Sequence, residues 1–155
     1  DRVVQRGDFV LMDYGAGYCD YRSDMTRTVV VGEPTPEQLD LYALVRRTHE
    51  ECAAAVHAGV EGNDIFKLSR KIIGDAGYGD YYNHGLGHGV GIDIHEMPNF
   101  NRSMNIIEAG SVITIEPGVY LPGIGGVRLE DYGVVTEDGY EPFTKSTHEL
   151  QVIDC

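Results

Sequence analysis

Basic residues are scarce: 12 Lys and Arg stand against 25 Asp and Glu, a formal net charge of −13. A protein that tracks phosphates needs a basic stripe, so neither nucleic acid nor an anionic membrane surface is an expected partner. Cysteine is as sparse. Cys19, Cys52 and Cys155 are too scattered for a disulfide framework or a zinc knuckle, and they fit a reducing, cytoplasmic compartment. No apolar run approaches the roughly 20 residues of a membrane span, and no signal-peptide pattern, internal repeat or low-complexity tract is visible. Hydrophobic residues make up 42% of 155 positions, enough for one domain with its own core. Glycine is plentiful, with 20 residues, about twice average usage.

The apolar pattern reads as strands, then helices, then strands. Asp8 to Tyr14 is a short apolar run ended by Gly15-Ala16-Gly17, and Met25 to Val31 is rich in β-branched residues and stops at Gly32. Their short polar connection suggests an antiparallel pair. Thr35-Pro36-Glu37-Gln38 then combines an N-cap, a proline at the first helical position and a Gln three residues after the cap. Leu41, Leu44, Val45, Thr48, Cys52, Ala55 and Val56 follow at helical spacing up to Gly59. A second helix is expected from Asn63, carrying Ile65, Leu68, Ile72 and Ile73, and closing near Gly77. Gly74 to Gly91, where glycine alternates with Tyr and His, reads as loop. Ser111 to Tyr120, Gly126 to Leu129, Gly133 to Thr136 and Glu149 to Ile153 read as strands, with turns at Pro122-Gly123 and Asp138-Gly139. The expected class is α+β with a mostly antiparallel sheet.

Four carboxylates stand where apolar residues surround them. Asp13 ends a run of Val10, Leu11 and Met12; Asp24 directly precedes a strand; Glu116 lies inside Val-Ile-Thr-Ile-Glu-Pro-Gly-Val-Tyr; Glu130 follows Val127 and Leu129. A carboxylate taken from water without a partner costs several kcal/mol or is driven to its neutral form. One such residue has an ordinary explanation in an ion pair or a turn cap. Four call for a shared positive charge, and Arg27 and Arg128 are the only strand-associated arginines. A divalent metal is the economical answer. Histidines supply the next part: His84, His88 and His95 fall in one glycine-rich window. The four-residue spacing of the first two is not a helical zinc pair, because the glycines oppose a helix and the internal Glu is missing. His49, His57 and His148 read as structural, the first two riding on the first helix. Mostly oxygen donors with one imidazole suit Mn²⁺, with Zn²⁺, Co²⁺ and Fe²⁺ as alternatives. The carboxylates exceed what one ion needs and fit two, bridged by carboxylates and a water, which is the arrangement of a dinuclear hydrolase.

Asp13-Tyr14-Gly15, Ser23-Asp24-Met25-Thr26-Arg27-Thr28, His84-Gly85-Leu86-Gly87-His88-Gly89-Val90-Gly91, Ile115-Glu116-Pro117-Gly118 and Val127-Arg128-Leu129-Glu130 occur in that order. Together they resemble the signature of the pita-bread metallopeptidases, in the Xaa-Pro aminopeptidase and prolidase branch. The resemblance runs from about Asp8 to the end. It implies that Asp13 chelates one of two divalent ions, that Asp24 and Glu130 bridge both, and that His88 and Glu116 bind the other. Glu116 would also shuttle a proton to the leaving proline nitrogen, His95 would hydrogen-bond the developing oxyanion, and His84 would help hold the substrate on its proline side. Arg128 would pair with a ligand carboxylate. The implied substrate is a peptide with proline at its second position, and the implied assembly a homodimer.

Asp20-Tyr21-Arg22 departs from the small residues the family more often has there, and reads as loop variation because the ligand spacing survives. The pita-bread domain has two similar α+β halves and is roughly a hundred residues longer than this chain, within the usual domain range. With Asp1 at its start and a strand by Phe9, residues 1–155 are expected to be a catalytic domain incomplete at its N-terminus, without the upstream His that completes the substrate site or the preceding domain. Methionine aminopeptidase shares the fold and ligands; the His84-to-His95 stretch and Gly125-Gly126-Val127-Arg128 favour the proline branch. A non-catalytic pita-bread binding module is the other alternative, and the intact ligand positions argue against it.

Overall fold

In the computed structural model, which describes residues 2–154, the chain opens on β1 (Phe9–Tyr14) and a small hairpin of β2 (Gly17–Tyr18) and β3 (Tyr21–Arg22), then β4 (Met25–Val31). β1 pairs antiparallel with β4, setting Asp13 opposite Thr26 and Tyr14 opposite Met25. The hairpin occupies the expected connection and turns on Cys19 and Asp20, both at positive φ (48° and 70°).

Helix α1 (Pro36–Ala55) starts as its sequence dictates. The Thr35 hydroxyl accepts the Gln38 N–H at 3.2 Å, and the Gln38 side chain accepts the Thr35 N–H at 2.9 Å, a reciprocal cap. It ends at Ala55, short of Gly59. The reason is competition for backbone donors: Ala58 N–H goes to Thr136 O at 3.1 Å and Gly59 N–H to Ile107 O at 2.8 Å, so these distant carbonyls capture what another helical turn would need. His57 therefore follows the helix rather than riding on it. α2 (Gly62–Asp75) begins where a Cβ on Gly62 would lie 2.6 Å from Asn99 O.

A single 3₁₀ turn (Gly79–Tyr81) leads into β5 (Gly87–Gly89), β6 (Glu96–Phe100), β7 (Val112–Ile115), β8 (Gly118–Leu121), β9 (Gly125–Arg128), β10 (Asp131–Val135), β11 (Tyr140–Pro142) and β12 (Gln151–Ile153). Strands β11-β10-β7-β5-β6 form one sheet, β1-β4-β12 another, and β8-β9 a hairpin. Pairing is antiparallel except for β12 beside β4. The helices cover the sheets through two apolar clusters. One joins Leu41, Val45 and Ile73 to Val119, Val127 and Leu129. The other joins Cys52 and Ile65 to Leu86, Phe100, Ile113 and Ile115. Among the described residues no helix is long and apolar enough to cross a membrane.

Three departures from the sequence reading have physical causes. β5 lies in the stretch read as loop, yet it is a central strand. A Cβ on Gly87 would meet Thr114 O at 2.0 Å and one on Gly89 would meet Met97 O at 2.4 Å, so its neighbours press too close for any other residue. The segment Ser111 to Tyr120 is two strands, β7 and β8, because Pro117 has no N–H to continue a ladder. β6 and β11 were not anticipated; each contains a proline, and each is an edge of the five-stranded sheet, where a missing donor is tolerated.

Candidate metal centre

The ladders converge on one buried cluster. An antiparallel bridge joins Thr26 to Glu130, with the Glu130 N–H donating to Thr26 O at 3.1 Å. Asp24, just ahead of β4, is thereby set beside Glu130, which lies between β9 and β10. β5 brings His88 in from the other side. Asp24, His88 and Glu130 are all buried, and each offers one ligand atom within 4.8 Å of the others. Glu116 Oε1 lies 3.3 Å from His88 Nε2, and Asp24 Oδ2 lies 3.6 Å from the same nitrogen. Glu116 owes this placement to the β7–β8 break. Asp13 is half-exposed and held by the Arg128 guanidinium. It lines a cavity of about 680 Å³ together with His84, His88, His95, Glu116 and Arg128. Every site residue named from the sequence is thus in the cluster or on the wall of this cavity.

Charge is unbalanced there. Arg128 meets Asp13, and its Nε stays 3.8 Å from Glu116 Oε2. Arg27 is turned away, its Nη2 2.6 Å from Asp131. Burial, then repulsion by Glu116 and Asp24, pushes the Glu130 carboxyl up to about 8, although the Thr26 hydroxyl donates to it at 2.6 Å. Asp24 is also raised, by burial first. His88 would be lowered by burial, but the hydrogen bond to Glu116, then Gly89 O and Asp24, carries it above its ordinary value. His88 Nδ1 is 3.0 Å from Gly89 O, an acceptor only, so Nδ1 carries the proton and Nε2 faces the carboxylates. That is how a protein presents a ligating imidazole. Carboxylate oxygens around a preset Nε2, short of positive charge, fit divalent ions.

The sign of the pH dependence follows. A carboxyl whose folded pKa lies above its ordinary 4.5 takes up a proton on folding. Its contribution to stability is complete below about 4.5 and is lost as pH climbs through about 8. Chelator-treated protein is expected to melt at a lower temperature at about pH 8.5 than at about pH 6, with added Mn²⁺ closing the gap. Thermal scans at both pH values, with and without the ion, check this.

Hydroxyls that the sequence reading missed fix the surrounding groups. Arg128 Nη1 donates to Tyr120 Oη at 3.1 Å, Tyr120 Oη lies 3.1 Å from His84 Nε2, and His84 Nδ1 lies 2.7 Å from Gly85 O. With Nδ1 donating to the carbonyl, Nε2 accepts from the phenol, and the relay locks His84 in one orientation. The Thr114 hydroxyl accepts the His88 N–H at 3.1 Å and donates to Glu116 at 3.3 Å. His95 packs on His88, ring centroids 4.2 Å apart.

Comparison with known proteins places this geometry in a family. The model of metallopeptidase family M24 matches residues 1–137, so the chain belongs to that family. It is 44% identical over 151 residues to the Xaa-Pro dipeptidase of Pyrococcus furiosus, covering 97% of this chain and 43% of that protein. Among solved structures it superposes on an Xaa-Pro dipeptidase from Bacillus anthracis with a TM-score of 0.95 at 42% identity, over 98% of this chain and 43% of the other. It superposes on an X-Pro aminopeptidase from Thermotoga maritima with a TM-score of 0.95 at 36% identity, over 99% and 44%. The fold is the pita-bread α+β fold expected, and the chain spans less than half the length of these relatives.

Proposed function

We propose that the chain is the metal-bearing part of an Xaa-Pro peptidase, cleaving the bond between an N-terminal residue and proline. In this reading Asp13, Asp24, His88, Glu116 and Glu130 would hold two divalent ions, Mn²⁺ foremost, and Asp24 and Glu130 would be the shared ligands. The observation that carries it is the convergence of buried Asp24, His88 and Glu130, with Glu116 3.3 Å from His88, beside an open cavity. When bound, the ions supply positive charge that acidifies a water and polarises the scissile carbonyl.

The chain's own groups do the rest. Glu116 takes the proton of the attacking water and gives it to the proline nitrogen as the bond breaks. His95, on the cavity wall beside His88, donates to the oxyanion as charge develops on it. His84, locked by Tyr120 and Gly85, bears on the proline side of the substrate. Arg128 keeps Asp13 aimed. A bond to proline is a tertiary amide with a fixed ring, and a dedicated pocket suits it. Cys19 and Cys52 are free thiols, in keeping with a cytoplasmic setting.

Assay of the Mn²⁺-loaded protein on Ala-Pro, Ala-Pro-Ala and Met-Ala-Ser tests the reading. Release of alanine from either proline peptide supports it; cleavage of Met-Ala-Ser alone would make it a methionine aminopeptidase. No cleavage and no bound metal would make it a binding module. His95→Ala should lower kcat by roughly 10²–10³-fold, as loss of one oxyanion donor does, with metal content unchanged by elemental analysis. Loss of metal in that variant would show His95 to be a ligand instead.

A further inference from the structure

Away from this cavity, α1, β10 and the segment before β12 bring together two histidines that read as structural in the sequence and one aspartate. His49 projects from α1, Asp131 opens β10, and His148 lies just ahead of β12. His148 Nε2 is 2.7 Å from Asp131 Oδ2, and His49 Nε2 is 3.6 Å from the same oxygen. Each of the three offers one ligand atom within 4.8 Å of the others. The other Asp131 oxygen is occupied by Arg27 at 2.6 Å, which leaves Oδ2 aimed at the two imidazoles.

His49 is the anomaly. Its side chain is 3% exposed, yet neither Nδ1 nor Nε2 has a hydrogen-bond partner. Buried polar atoms are nearly always paired, and an exception calls for a ligand or an ion. A cavity of about 440 Å³, walled by His49, Glu50, Asp131, Tyr140 and His148, connects the group to solvent. Glu50 adds a carboxylate at that wall.

We infer that His49, Asp131 and His148 form a second metal site, separate from the five-residue centre, that takes one borderline transition-metal ion, zinc foremost. Two imidazoles and one carboxylate are a zinc-type donor set, unlike the oxygen-rich cluster around Asp24. Solvent from the cavity completes a four-coordinate shell. Such an ion cross-links α1 to the segment that leads into β12, and it ends the isolation of His49. It does not depend on the peptidase reading, because no residue is shared between the two sites.

Zinc content settles it. Metal-free wild-type protein, His148→Ala and His148→Gln are dialysed against buffered micromolar free Zn²⁺ and analysed for bound metal, with circular dichroism confirming that each is folded. His148 is partly exposed, and glutamine retains a hydrogen bond to Asp131, so at least the second variant tolerates the change. Both variants should hold one equivalent of zinc fewer than wild type, and zinc should raise the wild-type melting temperature by more than theirs. Equal zinc content and equal thermal shifts in all three proteins would overturn the site. If the Asp24 cluster bound nothing, every total would fall but the difference of one equivalent would persist, so the two readings fail separately.

Discussion

Replacing Asp24 with Asn is expected to lower kcat/KM for an Ala-Pro bond by at least roughly 10³-fold, about 4 kcal/mol of transition-state stabilisation. The change keeps the shape of the side chain and removes a negative charge. Asp24 Oδ2 is 3.6 Å from His88 Nε2 and shares the buried cluster with Glu130, and in the proposed centre its carboxylate would be a shared ligand. An amide offers one weaker oxygen and a nitrogen that cannot ligate. The metal-free fold should gain from the substitution, because Asp24 is a buried carboxylate that its acidic neighbours disfavour. Lower activity with an unchanged or higher melting temperature in chelator distinguishes a ligand role from a structural one. Near-normal turnover would remove Asp24 from the centre.

Arg27→Ala has the largest expected effect on stability. Its guanidinium donates to Asp131 at 2.6 Å, to the carbonyls of Thr26 and Glu130 at 2.9 and 2.7 Å, and to those of Ser146 and Thr147 at 2.9 and 3.0 Å. Arg27 is one of two strand-associated arginines, too few to balance the four carboxylates, and it does not face them. It serves Asp131 instead, and ties β4 to the loop ahead of β12. Asp131 is held below the ordinary carboxylate range despite its burial, through His148, His49 and Arg27. Removing Arg27 takes the cation from one oxygen of the buried Asp131 carboxylate and the guanidinium donor from the Ser146 and Thr147 carbonyls, a loss of about 3–5 kcal/mol. That is a large share of the about 5–15 kcal/mol that holds a domain together. Denaturant melts of the metal-free protein measure it. Arg27→Met combined with Asp131→Leu should recover much of the loss, since apolar replacement of both partners is often close to neutral. A single-variant loss below about 1 kcal/mol would mean the pair is solvated in practice.

What could be read from the sequence, and what could not, follows from how each residue stands out. Asp13, Asp24, Glu116 and Glu130 are conspicuous because carboxylates in apolar strands need a reason, and the structure gathers them around one cavity and one histidine. His84, His88 and His95 stand out because histidine recurs among glycines. Thr26, Thr114 and Tyr120 were invisible. Hydroxyl and aromatic residues are ordinary occupants of strands, and only the bridge between Thr26 and Glu130 or the approach of Tyr120 to His84 reveals their work. β5 is hidden for a related reason, since glycines that serve close packing look like glycines that serve a turn. His49, Asp131 and His148 come from elements far apart in the chain, so no spacing could announce them.

The most direct test of the central claim is anomalous diffraction at the manganese edge from crystals of the Mn²⁺-loaded protein. The account predicts two peaks, both with Asp24 and Glu130 as neighbours, one beside Asp13 and the other beside His88 and Glu116. No peak beside Asp24 and Glu130 at saturating Mn²⁺ would contradict it.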